Sequence, residues 1–176
     1  MTYVYKTMKS PVGILKLVTG NKGLAAILWE KDNLERVPLN PVIEEKNHPV
    51  LLEAELQLNS YFNGKLKTFS LELDFVGTEF QKKVWKALLT IPYGETRSYG
   101  QIAKQIGNPK AVRAVGAANS KNPISIIAPC HRVIGSNGKL TGFARGLEAK
   151  ACLLNIERGK SESERPEIVI SAIAVA

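Results

Sequence analysis

Residues 98–121 read SYGQIAKQIGNPKAVRAVGAANSK, and two short helices can be placed in them from their boundaries alone. Ser98 with Gln101 three residues later is a capping box, and Gly107 supplies the stop. Asn108 and Pro109 then open a second helix running to residue 120, since a polar cap followed by proline suits a first helical turn. Two short helices around a tight Gly-Asn turn predict a helix-turn-helix. The second helix is nearly bare, with Ala111, Ala114, Gly116, Ala117 and Ala118. Small side chains allow close approach, either of a core partner or, with Lys110, Arg113 and Lys121 around them, of a nucleic-acid backbone.

The capped pattern extends to both sides. Thr78 with Gln81 forms another capping box, and Phe80, Val84, Leu88 and Leu89 give that helix an apolar stripe before Pro92. Further on, GLEAKACLLNIERG (146–159) sets Leu147, Lys150, Ala151 and Leu154 on one face and ends at Gly159. Glu157 falls in its last turn, where the helix dipole disfavours a carboxylate by a few tenths of a kcal/mol. Such a charge calls for a partner: Arg158, a lysine, or a histidine elsewhere in the fold.

The first 75 residues follow a different pattern. Ser10-Pro11 and Gly13 mark a turn, ILKLVTG (14–20) and LAAILW (24–29) are strand candidates, and GNKG (20–23) joins them as a hairpin. Pro49 starts a helix with Leu51, Ala54, Leu58 and Phe62 on one face and Gly64 as its stop. FSLELDF (69–75) alternates as a strand does. The expected organisation is an α/β unit over 1–76, a mostly helical unit over 77–160, and a tail over 161–176. In that tail the charged GKSESERPE is expected to be flexible, and the apolar IVISAIAVA to dock on the body of the protein.

Composition bounds the function classes. Over 176 residues, 44% are hydrophobic and 23% charged, proportions of a globular chain with a real core. Twenty-four Lys and Arg against sixteen Asp and Glu leave a net charge of +8, which favours a polyanionic partner. The two cysteines, Cys130 and Cys152, and the two histidines, His48 and His131, have neither zinc-site spacing nor the density of a disulfide framework. No apolar run approaches the roughly 18 residues of a spanning helix, and MTYVYKTMKS lacks the core of a signal peptide. A reducing, cytoplasmic setting is expected, in which Cys130 stays free.

The chemistry concentrates in IIAPCHRVIGSNGKLTGFARGLEAK (126–150), which sets Cys130 beside His131. A thiol attacks as its thiolate, and His131 and Arg132 offer positive charge to favour that form. Neighbouring side chains diverge, so a direct Cys130–His131 hydrogen bond is geometrically poor and a bridging water would serve better. The histidine then needs a group to orient its other nitrogen, and Glu157 is the natural candidate. Cys152, within an apolar helix, reads as a small buried hydrophobe.

The stretch from IPYGETRSYGQIAKQIGNPKAVRAVGAANSKNPISIIAPCHRV to GKLTGFARGLEAKACLLNIERG resembles the O6-alkylguanine-DNA alkyltransferases densely over residues 78–159. PCHRV, with Asn-Pro upstream and GxLxG downstream, is highly specific. The resemblance implies a ribonuclease-H-like α/β domain followed by a winged-helix-like, helix-turn-helix domain. It implies DNA repair by transfer of an alkyl group from O6 of guanine, or O4 of thymine, to Cys130. In that scheme His131 acts through a water as base, Glu157 orients it, and Asn122 braces the active-site turn. Tyr99 hydrogen-bonds the flipped guanine and helps protonate it.

By the same resemblance, helix 109–120 lies in the minor groove of double-stranded DNA. Arg113 replaces the extruded nucleotide, and Asn108, Lys110 and Ser136 contact the DNA. Val133, Phe143, Ala144 and Arg145 line the substrate pocket. No metal or cofactor, no membrane and a monomer are expected, with the protein consumed in one turnover. Arg145 stands where the family commonly has glycine, where it would either restrict bulky adducts, which are expected to react less readily, or reach a phosphate, and Phe143 replaces a usual tyrosine. Two other classes share parts of the pattern. A non-catalytic sensor would lack the acceptor cysteine, and a cysteine hydrolase would need an acyl pocket and repeated turnover.

Overall fold

The computed structural model describes residues 2–30, 36–39, 41, 43–135 and 146–159. The expectations for the tail, and those for Ser136, Phe143, Ala144 and Arg145, lie outside the described residues. The chain divides into two compact units after Val76.

The first unit is a sheet with one helix. Strands β1 (Val4–Ser10), β2 (Gly13–Thr19) and β3 (Leu24–Trp29) run antiparallel, and the short β4 (Ile43–Glu44) adds to β1 in parallel, giving the order β3-β2-β1-β4. The first turn is held by Ser10, whose Oγ donates to Gly13 O and accepts from Val12 N. At the second turn Gly23 has φ +128°, and a Cβ there would meet Glu72 O at 2.6 Å. Only glycine fits that approach. Helix α1 (Pro49–Phe62) begins with proline behind an N-cap, His48, whose Nδ1 accepts from Val50 N. It buries Leu51, Ala54, Gln57, Leu58 and Tyr61, each large apolar side chain contributing about 1.5–3 kcal/mol. Tyr61, rather than the expected Phe62, is the ring wholly in the core.

The expected strand over 69–75 is not formed. Only Leu73 bridges to Leu24, with Leu24 N donating to Glu72 O and Asp74 N to Leu24 O. The side chain of Gln57 explains the interruption, because it takes both backbone groups of Ser70: its Oε1 accepts from Ser70 N at 2.9 Å and its Nε2 donates to Ser70 O at 3.3 Å. A side chain thus replaces the ladder there.

In the second unit α2 (Glu79–Leu88) carries the Thr78–Gln81 capping box and buries Val84, Trp85, Ala87 and Leu88. Leu89, placed on the apolar stripe from sequence, is 44% exposed. Trp85 Nε1 donates to Ala118 O at 2.8 Å, locking α2 to the helix that carries Ala118. Strand β5 (Arg97–Ser98) leads directly into α3 (Tyr99–Gln105), which has the predicted Ser98–Gln101 box. Gly107, at φ +80°, ends α3.

Helix α4 covers Val112–Ser120, three residues later than the expected start at 109. Asn108–Ala111 instead form a turn closed by Ala111 N donating to Asn108 O, and Ala111 has a non-helical ψ of 31°. Asn108 is therefore not the cap of α4, and the corner between α3 and α4 uses those residues. A 3₁₀ turn (Cys130–Arg132) enters β6 (Val133–Ile134), and α5 (Leu147–Glu157) completes the unit. Strands β5 and β6 pair in parallel, Arg97 opposite Val133 and Ser98 opposite Ile134. Among the described residues no helix is long and apolar enough to cross a membrane.

Candidate active site

The cysteine is presented by a segment built against strain. Ile126 has φ +75°, unusual for a β-branched residue and worth of order 1–3 kcal/mol. Asn122 braces the surrounding turn from both sides. Its Nδ2 donates to Ala128 O at 2.7 Å while its Oδ1 accepts from Ile124 N at 3.0 Å. Ala128 N donates in turn to Ile124 O. Every residue from Asn122 to Val133 is buried, so the thiol, the imidazole and the backbone that carries them lie in one desolvated setting.

Cys130 and His131 are neighbours in the 3₁₀ turn. Among the described residues no hydrogen bond joins the Cys130 thiol to the imidazole, whose Nδ1 is buried without a protein partner. The other ring nitrogen, Nε2, lies 2.6 Å from Glu157 Oε2. An ionised carboxylate only accepts, so Nε2 carries the proton and Nδ1 presents a lone pair.

Glu157 has a second partner that sequence reasoning missed. Arg132 approaches edge-on, with Nε donating to Oε1 at 2.8 Å and an Nη to Oε2 at 3.1 Å, while its other Nη donates to Ile91 O at 2.6 Å. Its guanidinium also lies 5.7 Å from the centre of the Tyr93 ring. Arg158, which the sequence offered as one way to balance Glu157, is exposed; Arg132 and His131 fill that role. The only signal for Arg132 was its place next to the Cys-His pair, read merely as positive charge.

Burial by itself would raise the Glu157 carboxyl, but the hydrogen bonds and charges of His131 and Arg132 outweigh it and hold it at about 2. His131 is lowered, first by burial and then by the charges of Arg132 and Lys150, against the pull of Glu157. The pair is therefore an anionic carboxylate and a neutral imidazole at physiological pH.

Lys150 is the other residue the sequence concealed. It is wholly buried, and its Nζ donates to Val133 O at 2.5 Å. Burial lowers it to about 8, with the nearby charge of Cys130 acting in the opposite sense. A lysine within the apolar stripe of α5 was the available sign. Asn119 was also missed: it is buried on α4 and its Nδ2 donates to Cys130 O at 3.4 Å, joining that helix to the turn.

The remaining expected residues fall into two places. Tyr99 opens α3 directly after the strand paired with β6, and Gly116 of α4 faces its ring, a Cβ there being 3.9 Å away. Val133 follows the 3₁₀ turn and is buried. Asn108, Lys110 and Arg113 lie instead on an exposed face with Ala114 and Ala117, whereas Ala118 packs inward. The core-packing reading of the bare helix thus holds for its Ala118 side, and its other side is exposed. Among the described residues no three His, Cys, Asp or Glu side chains cluster as around a metal ion.

Fold and site together define a two-unit protein whose helix-turn-helix unit is built around a buried cysteine backed by a histidine–carboxylate pair. Residues 79–159 match the DNA-binding domain of 6-O-methylguanine DNA methyltransferase, and residues 3–75 match its ribonuclease-like domain. The chain belongs to the 6-O-methylguanine DNA methyltransferase family. It is 54% identical over 153 residues to the methylated-DNA–protein-cysteine methyltransferase of Methanosarcina mazei, covering 87% of this chain and 96% of that protein. The Mycobacterium tuberculosis protein of the same name is 49% identical over 161 residues, 91% of this chain and 95% of its own length. The crystal structure of Mycobacterium tuberculosis OGT in complex with DNA superposes with a TM-score of 0.81 at 46% identity, covering 93% of this chain and 97% of that one.

Proposed function

We propose that this protein repairs double-stranded DNA by moving an alkyl group, methyl foremost, from O6 of guanine, and from O4 of thymine, to Sγ of its own Cys130. The observation that carries this reading is the Glu157–His131 pair behind a buried cysteine in the unit that holds the helix-turn-helix. The names of the relatives and the DNA complex of a structural neighbour support the reaction class.

The basic, small-residue face of α4 enters the minor groove, with Asn108, Lys110 and Ser136 on the backbone. A base in the stack cannot present O6 to a thiol, so the nucleotide is flipped out and Arg113 fills its place. Val133, Phe143, Ala144 and Arg145 shape the receiving pocket. The thiol proton passes through a water to His131 Nδ1, with Asn122 keeping the turn in place. The thiolate attacks the alkyl carbon, the C–S bond forms, and the C–O6 bond breaks. The electron pair stays on the guanine, which takes a proton from the Tyr99 hydroxyl. The product is a thioether that cellular thiols do not reverse by disulfide exchange. One molecule therefore repairs one base as a monomer in the cytoplasm, without a cofactor.

Intact mass after incubation with O6-methylguanine DNA tests this. The expected result is a gain of one methyl in place of one hydrogen, located on Cys130 and absent in Cys130→Ala. Release of more than one methyl product per protein molecule would contradict single turnover, and an unmodified wild-type protein would overturn the function.

A further inference from the structure

We propose that Arg132 is a positioning residue for alkyl transfer, which holds Glu157 edge-on, shares its carboxylate with His131, and so sets the pH above which His131 takes up the thiol proton. This rests on the function proposed above. The geometry separates two contributions of the guanidinium. Two of its nitrogens bind the two oxygens of one carboxylate, Nε to Oε1 at 2.8 Å and an Nη to Oε2 at 3.1 Å, a side-on fork that fixes the carboxylate plane. The remaining Nη donates to Ile91 O at 2.6 Å, tying the fork to the segment before β5. Oε2 is the oxygen that His131 also binds, so the rotation of that carboxylate decides where the imidazole points.

The second contribution is charge. The charged groups acting on His131 are Arg132 on its own turn and Glu157 and Lys150 from α5, while Tyr93, which donates its hydroxyl to Ile156 O, has its ring near Arg132. Glu157 alone pulls His131 toward the imidazolium. Arg132 offsets that anion at hydrogen-bond distance, and together with burial it keeps the imidazole neutral with Nδ1 free to accept. Lysine matches the charge but not the fork, and glutamine or methionine matches neither.

Single-turnover methyl transfer from O6-methylguanine DNA is measured between pH 5.5 and 9 for wild type, Arg132→Lys and Arg132→Met, with circular dichroism to confirm folding. Arg132→Met is expected to move the acidic limb of the rate profile to higher pH. Each unit of movement slows the reaction about tenfold at pH values below the limb. Arg132→Lys is expected to lower the rate at every pH with the limb close to that of wild type. Equal profiles for the two variants, or a limb unmoved in Arg132→Met, would overturn the proposal and leave Arg132 a purely structural residue. An unfolded Arg132→Met is replaced by Arg132→Gln.

A proton NMR titration of the DNA-free protein supplies a readout independent of transfer. The chain has only two histidines, so the His131 ring resonance is read against that of His48 and should titrate at higher pH in Arg132→Met. If wild type transfers no methyl, the function fails while this titration still decides the role of Arg132.

Discussion

Glu157 Oε2 lies 2.6 Å from His131 Nε2 although the residues are 26 positions apart, and both side chains are almost wholly buried. The carboxylate fixes which imidazole nitrogen holds the proton, and with it which one presents a lone pair, the nitrogen that takes the thiol proton in the function proposed above.

Replacing Glu157 by glutamine should reverse that choice, since an amide can donate to Nε2 and push the proton onto Nδ1. Methyl-transfer rates are expected to fall about 10²–10⁴-fold, the usual share of general-base catalysis. Glu157→Ala should in addition leave the Arg132 guanidinium buried without its anion. Urea unfolding is expected to register a loss of about 3–5 kcal/mol.

Acid should destabilise the protein in a defined window. Glu157 is held at about 2 against 4.5 for a free carboxyl, so its stabilisation is complete above pH 4.5 and is lost as the pH falls toward 2. The amount is about 3 kcal/mol by linkage. His131, lowered from 6.5, begins to withdraw stability below that pH, because the unfolded chain takes up its proton first. Urea midpoints measured downward from pH 7 should decline, and Glu157→Gln should make the part below pH 4.5 shallower.

The alkaline side should show stability climbing with pH. Lys150 is lowered to about 8 from 10.5, so between those values the unfolded chain binds more protons than the folded one and stability rises with pH. Lys150→Met should abolish that rise in unfolding midpoints recorded from pH 7.5 to 10.5. A slope unchanged in the variant would show that Lys150 is not its source.

The corner before α4 and the exposed face of that helix should separate two kinds of DNA contact. Lys110→Ala is expected to weaken binding to all duplexes and to reduce the salt dependence of log K by about one. Arg113→Ala should slow methyl transfer from duplex DNA much more than the reaction with a free O6-alkylguanine base, which needs no flipping. Filter binding over a salt series and single-turnover rates on both substrates check the pair.

The capping boxes at Thr78 and Ser98, the stop at Gly107 and the two hairpins were readable because they depend on residues three or four apart. The start of α4 was not. Asn108-Pro109 has the composition of a helix opening, yet the corner after Gly107 takes those residues into a turn, and only packing against α2 through Trp85 and Ala118 settles where the helix runs. The strand expected at 69–75 failed for a related reason: its alternation is real, but Gln57, on another element, bonds the backbone that a ladder would have used.

The site divides in the same way. Cys130 and His131 stood out by adjacency, and the lack of a direct hydrogen bond between them followed from backbone geometry. Glu157 drew attention as a charge at the wrong end of a helix, a local electrostatic misfit. Its partner Arg132 and the burial of Lys150 could not be read, because a side chain's solvation and its distant bonding partners are properties of the folded chain. The amino-acid sequence by itself determined most of the element boundaries, the Cys130–His131 pair and the family motif, all short-range patterns. Only the tertiary structure decided which charges are stripped of water and set against each other around His131, since desolvation and Coulomb energy depend on distances that chain order does not contain.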